Sequence, residues 1–130
     1  MYEIEFYEDN NGESELWDFI EFIRVKSSTS KNYHIQYKQI IFYIELLKNN
    51  GTNLSNTIVR RIVEDIYELR PGHNRILFFS FTGNKFVLLH PFRKKTQKTP
   101  INEIKKAKQK RDSYIKRSSK WKHGIVIKNM

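Results

Sequence analysis

The chain of 130 residues contains no cysteine. Disulfide scaffolds, thiol catalysis and cysteine-ligated zinc or iron–sulfur centres are therefore excluded, and the composition suits a reducing, cytoplasmic setting. No apolar run approaches the roughly 20 residues that span a bilayer, so no membrane partner is expected. The opening MYEIEFYEDN lacks the basic stretch and apolar core of a signal peptide. There is no HExxH, no paired-aspartate pattern near the basic residues, and His34, His73, His90 and His123 are scattered. Neither a metal nor another cofactor is expected. No internal repeat is present.

Acidic residues are scarce in one half only. Met1–Leu69 carries 7 basic and 12 acidic residues, whereas Arg70–Met130 carries 17 and 2, which together give the net charge of +10. A length of 130 fits one domain. A hydrophobic fraction of 38%, with 14% aromatics, is enough for a compact core. Positive charge concentrated in one half points to nucleic acid or another polyanion.

Tyr2, Ile4 and Phe6 alternate with polar neighbours, the period of a half-buried strand. Leu16, Trp17, Phe19, Ile20, Phe22 and Ile23 recur in steps of three and four and predict a helix from Glu13 to about Lys26, with Glu13, Glu15, Asp18 and Glu21 on its wet side. A second helix is expected from Asn32 to Lys48, stopped by Gly51. Ile58–Asp65 fits neither period. Ile66–Arg70, Arg75–Phe81 and Lys85–Phe92 read as three strands, separated by Pro71-Gly72 and by Thr82-Gly83-Asn84. Their near-continuous apolar character suggests central strands covered on one face by the helices. Pro100 opens a last, lysine-rich helix to about Lys116. The expected fold is α+β: an N-terminal strand, a helical hairpin packed on a small antiparallel sheet, and a basic C-terminal helix. Residues 1–117 form the domain, and 118–130 read as a tail without clear period.

This topology brings cations together. Arg70 ends one strand and Arg75 begins the next, His90 closes the return strand, and Arg93, Lys94, Lys95 and Lys98 follow as a loop. Arginine forks and lysine charges suit a phosphate and the charge of a pentacoordinate transition state, while histidine moves protons near neutrality. Solvated edge charges are the plain alternative. On the last helix Lys105, Lys106, Lys108, Lys110 and Arg111 repel one another unless an anion is near, so a nucleic-acid backbone or a merely solvated face fits them. Phe92 and Tyr67 either join the core or stack on a base at the rim.

The segment IYELRPGHNRILFF, the turn, and VLLHPFRKKTQKTPINEIKKAKQKR together resemble the phage-derived HigB-type branch of the RelE/ParE toxin superfamily. The resemblance runs from Ile66 to Arg111, over a third of the chain, with KKTQKTP its most specific run. It implies a RelE-like fold and the toxin of a type II toxin–antitoxin system: an mRNA interferase that enters the ribosomal A site and cleaves messenger RNA without a metal. The RNA's own 2′-hydroxyl attacks, leaving a 2′,3′-cyclic phosphate and a 5′-hydroxyl. By the same resemblance Arg75 clamps the scissile phosphate and Arg70 positions RNA. Lys94 and Lys95 stabilise the transition state or protonate the leaving oxygen, and His90 is a lower-ranked acid or base. Glu68 stands where some relatives carry a basic residue, as a base or a strand-end charge. Arg93, Lys98, Lys105, Lys106, Lys108 and Phe92 are the RNA-binding candidates. The implied partners are a HigA-like helix-turn-helix antitoxin, in a complex of two toxins and two antitoxins, and the ribosome with its mRNA. The superfamily also offers gyrase poisoning and ribosome-independent RNA cleavage as alternatives.

Overall fold

The computed structural model describes the backbone of residues 1–128 and the side chains of residues 1–118. Beyond Ser118 the expected tail lies outside the described side chains, and Asn129 and Met130 lie outside the described residues. In chain order the elements are β1 (Glu3–Phe6), α1 (Glu15–Ser27), α2 (Lys31–Asn50), β2 (Val59–Val63), β3 (Ile66–Leu69), β4 (Asn74–Phe81), β5 (Lys85–Arg93) and α3 (Ile101–Lys128). This is an α+β architecture.

Local chemistry sets the boundaries. The Ser14 hydroxyl accepts from the Trp17 N–H at 3.1 Å and starts α1. Ser30 does the same for α2 through Tyr33, at 3.4 Å. Each serine satisfies a backbone donor that the first helical turn leaves open. α2 stops at Gly51, whose φ is 64° and whose N–H donates to the Leu47 carbonyl. A Cβ there would meet the Tyr2 ring at 2.8 Å, so both the backbone and the packing demand glycine.

The five strands lie in the order β1-β5-β4-β3-β2. β2 to β5 form an antiparallel meander, while β1 pairs parallel to β5. The sheet is thus mixed rather than antiparallel throughout: the chain leaves β1 through a helical crossover, the long connection that parallel pairing requires. β2 is the strand hidden in the unassigned Ile58–Asp65 segment. A bulge between Arg61 and Val63 shifts its register, so that Val63 joins Ile62 in the core opposite Val59 instead of returning to Val59's face, which erases the period of two.

Both faces of the sheet are covered. Ile76, Phe78, Phe86 and Leu88 pack against Leu16, Ile20 and Ile23 of α1 and Ile40 and Leu47 of α2. Leu77, Phe79, Val87 and Leu89 pack on the other face, with Ala107 of α3. That second cover corrects the one-face expectation and explains why β4 and β5 are apolar at nearly every position.

α3 is fastened largely by charge. Lys106 and Lys110 reach Glu15 at the start of α1. Lys108 and Arg111 reach Glu64 in the β2–β3 turn, and Arg111 also pairs with Asp65. Burial works against the Glu15 carboxylate, but Lys110 and Lys106 hold it below its ordinary pKa. The anions that balance the basic helix therefore include the chain's own acidic first half.

Candidate anion-binding site

The α3 face of the sheet carries an ordered set of charges at the end beyond the start of α3. Pairing aligns Arg60 of β2 with Glu68 of β3, Leu77 of β4 and His90 of β5. One step further along β4, Arg75 pairs with Phe92, and Arg70 lies immediately past β3. The meander therefore collects Arg60, Arg70 and Arg75 around one carboxylate.

Glu68 is only 3% exposed. Its Oε1 lies 3.4 Å from Arg70 Nε and 3.8 Å from Arg75 Nε, and its Oε2 accepts from the Thr99 hydroxyl at 2.7 Å. Arg75 is also buried. Its Nη1 donates to the Gly72 and Asn74 carbonyls at 2.8 and 2.9 Å, which fixes the guanidinium. Burial pushes the Arg75 pKa down, and so do the positive charges of Arg70 and Arg60; Glu68 offsets part of this. The guanidinium remains protonated, but its surroundings are short of negative charge. Arg70 is anchored through Nη1 to the Asn56 carbonyl at 2.9 Å. Its Nε is close to Glu68 yet not aligned with it, and is buried without a hydrogen-bond acceptor. Three guanidinium groups facing one carboxylate leave two positive charges uncompensated among the described residues. Such a site favours an anion with several acceptor oxygens.

The loop after β5 is tied to this set at both ends. Lys94 N–H donates to the His73 carbonyl at 2.9 Å, beside the Pro71-Gly72 turn. Thr99 closes the loop onto Glu68. Lys94 is half-buried, while Lys95 and Lys98 are exposed between the two anchors. Phe92 is half-buried and packs against the α3-side core.

Other candidates are placed elsewhere. His90 does not open onto the basic end as expected: it is fully buried beneath α3, with Nε2 3.0 Å from Glu103 Oε1. Burial, aided by Lys110 and Lys106, lowers its pKa to about 3. The contact at neutral pH is therefore a hydrogen bond donated by a neutral imidazole, not an ion pair. Arg93 pairs with Asn74 and lies on the opposite face, lining a cavity of about 300 Å³ with Phe19, Tyr33 and Gln36. Lys106 and Lys108 are engaged by carboxylates, whereas Lys105 is exposed and has no ion pair among the described residues. Two members of the site escaped sequence reasoning. Arg60 sits in the bulged strand, and Thr99 is marked only by its hydrogen bond to a carboxylate 31 residues upstream. Among the described residues no group of three or more potential metal-ligating side chains lies together, and no helix is long and apolar enough to cross a membrane.

Residues 30–112 match the model of the family described as Phage derived protein Gp49-like (DUF891), a span covering more than half of the chain. The chain belongs to this Gp49-like family. The span contains every charged group of the arginine set and the whole KKTQKTP loop. No curated protein matches the chain. Among solved structures, the YoeB dimer from Staphylococcus aureus aligns at 12% identity over 73% of this chain and 98% of that one, with a TM-score of 0.48. The heterotetrameric YoeB–YefM toxin–antitoxin complex from Staphylococcus aureus aligns at 13% identity over 74% and 99%, also with a TM-score of 0.48.

Proposed function

We propose that this Gp49-like protein is the toxin of a type II toxin–antitoxin system, a metal-free endoribonuclease that cuts messenger RNA on the ribosome in the cytoplasm. The observation that carries the reading is the set of three arginines around buried Glu68, roofed by a lysine loop whose KKTQKTP sequence resembles HigB-type toxins. In this mechanism Arg75, fixed by two backbone carbonyls, receives the non-bridging oxygens of the scissile phosphate, and Arg70 offers its unpartnered Nε–H. Glu68 takes the proton of the ribose 2′-hydroxyl as that oxygen attacks the phosphorus. The bond to the 5′-oxygen breaks, and Lys94 or Lys95 supplies the proton that oxygen needs. The products are a 2′,3′-cyclic phosphate and a 5′-hydroxyl. Arginines that meet the growing charge of the phosphorane lower its energy more than that of the substrate.

Phe92 flanks Arg75 as a surface for a base, and Lys95, Lys98 and Lys105 hold the RNA backbone. Arg93, Lys106 and Lys108 are given a lesser share, since each is directed to another face or to a carboxylate. Buried, neutral His90 is assigned to fastening α3 through Glu103 rather than to the reaction. The partner that silences the toxin is a HigA-like helix-turn-helix antitoxin, in a two-plus-two complex.

The test is induction of the gene followed by primer extension on total RNA, paired with purified protein on RNA with and without ribosomes and with chelator. Cuts within translated messages, ribosome dependence and indifference to chelator are the expected outcome. Intact messages with a DNA-damage response would replace it with gyrase poisoning. Cutting of naked RNA would make the enzyme ribosome-independent, and loss of activity to chelator would overturn the metal-free mechanism.

A further inference from the structure

A second surface lies at the opposite edge of the sheet. β1 ends the strand order and pairs only with β5. The Glu3 and Tyr7 N–H groups donate to carbonyls of Asn84 and Leu88. Alternation along a strand therefore turns the N–H groups of Ile4 and Phe6 outward, where no described backbone group receives them. Beside this edge runs a groove of about 780 Å³ between β1 and the start of α1. Its apolar wall is Ile4, Phe6 and Trp17. Trp17 is 55% exposed although its ring lies 6.2 Å from that of Phe6, and an exposed tryptophan beside an open strand is costly for a free surface.

The rim of the groove has one sign of charge. Glu8, Glu13 and Asp18 are exposed and form no ion pair among the described residues, and Glu5 is shared with Lys85. No lysine or arginine lines the groove among the described residues. Arg117 approaches from α3, but it donates to the backbone carbonyls of Glu8 and Asp9 and not to the carboxylates. In a chain of net charge +10 this is an acidic, partly apolar slot next to unpaired strand donors.

We infer that the β1 edge binds an extended, basic segment of a partner protein. The segment pairs its backbone with Ile4 and Phe6 as an added strand, seats an aliphatic side chain against Trp17, and places lysine or arginine opposite Glu8, Glu13 and Asp18. Backbone pairing supplies affinity, and the alternation of apolar and basic side chains supplies selectivity. β5 and β4 separate this edge from Glu68, so a partner seated here leaves the arginine set open. The inference does not depend on RNA cleavage, and its test does not use it.

The test uses the full chain with Trp121→Phe, which leaves Trp17 as the sole tryptophan of the two in the sequence. The ligands are three synthetic ten-residue peptides: lysine alternating with valine, glutamate alternating with valine, and the lysine peptide with alternate backbone nitrogens methylated. The lysine peptide is expected to shift Trp17 fluorescence saturably and to slow amide exchange at Ile4 and Phe6. The glutamate and methylated peptides are expected to do neither. Glu8→Gln, Glu13→Gln and Asp18→Asn together should weaken binding at least tenfold without changing the circular dichroism spectrum. The inference is overturned if no peptide binds, if all three bind alike, or if the triple variant binds the lysine peptide as tightly as the parent.

Discussion

Arg75 has the most to lose among single residues. Its guanidinium is held by two carbonyls and crowded by Arg70 and Arg60, an arrangement that favours an anion. Arg75→Ala should lower single-turnover RNA cleavage by about 10²–10³-fold, the scale for removing one preorganised charge-stabilising donor. Growth arrest on induction should be relieved while thermal unfolding stays cooperative. If Arg75→Ala and Lys94→Ala both remain fully toxic, the site lies elsewhere. Thr99→Val gives a finer reading. It keeps the shape but removes the donor that orients Glu68 Oε2, so single-turnover cleavage at neutral pH should slow while the circular dichroism spectrum is unchanged. His90 supplies a pH prediction for the fold itself. Its pKa falls from 6.5 to about 3 on folding, so between those values the unfolded chain binds a proton that the folded chain refuses. Stability from this group is complete above pH 6.5 and declines as pH falls toward 3, by at most about 1.4 kcal/mol per pH unit. Urea-unfolding midpoints of His90→Gln should fall less steeply than the parent's between pH 6.5 and 5.

Among the elements, α3 is the one whose sequence says least about its surroundings. Its lysines read as a ligand surface, yet Lys106, Lys110, Lys108 and Arg111 meet Glu15, Glu64 and Asp65. Those partners lie roughly 45 to 95 residues upstream, beyond any helical or strand period. Hydrogen bonds to Asp65, Asp112 and Glu64 outweigh the cost of burying Arg111 and push its pKa above the usual arginine value. Ion pairs near the surface are screened by salt. Amide exchange in α3 should therefore quicken as salt rises, and Arg111→Gln should produce much of that change at low salt, leaving β4 and β5 protected. The strands were legible where the pattern was simple. β1 alternates, and β4 and β5 carry apolar runs bounded by turns. β2 was not, because its bulge puts the successive residues Ile62 and Val63 together on the face opposite Val59. The same gap concealed Arg60. His90 was placed on the return strand, but the cover that buries it comes from α3, which strand periodicity does not contain.

For the molecule as a whole, the charge split of the sequence is largely an internal matter. The acidic first half neutralises much of α3, and among the described residues the arginine set, the Lys94–Lys98 loop and Lys105 hold positive charge that no carboxylate fully matches. Binding of a 2′-O-methyl RNA, which lacks the attacking hydroxyl, should therefore fall with salt in a manner set by these groups. Removing one cation that neutralises a phosphate lowers the slope of log affinity against log salt by about 0.7 for a single strand. Replacing Lys95 and Lys98 with glutamine should reduce the slope by about twice that, whereas Lys106→Gln and Lys110→Gln should change it little. Filter binding between low and moderate salt decides between the two sets.

The parallel pairing of β1 with β5 also orders events in time. Glu3 is made before its partner Lys85, which follows only after two helices and three strands. Until β5 exists, Ile4 and Phe6 have no ladder to join, and the loop that brings Thr99 to Glu68 has not been made. Long-range pairing of this kind slows folding. A growing chain is thus unfinished at its first strand and its charged centre alike, and both are completed by the same late stretch of sequence.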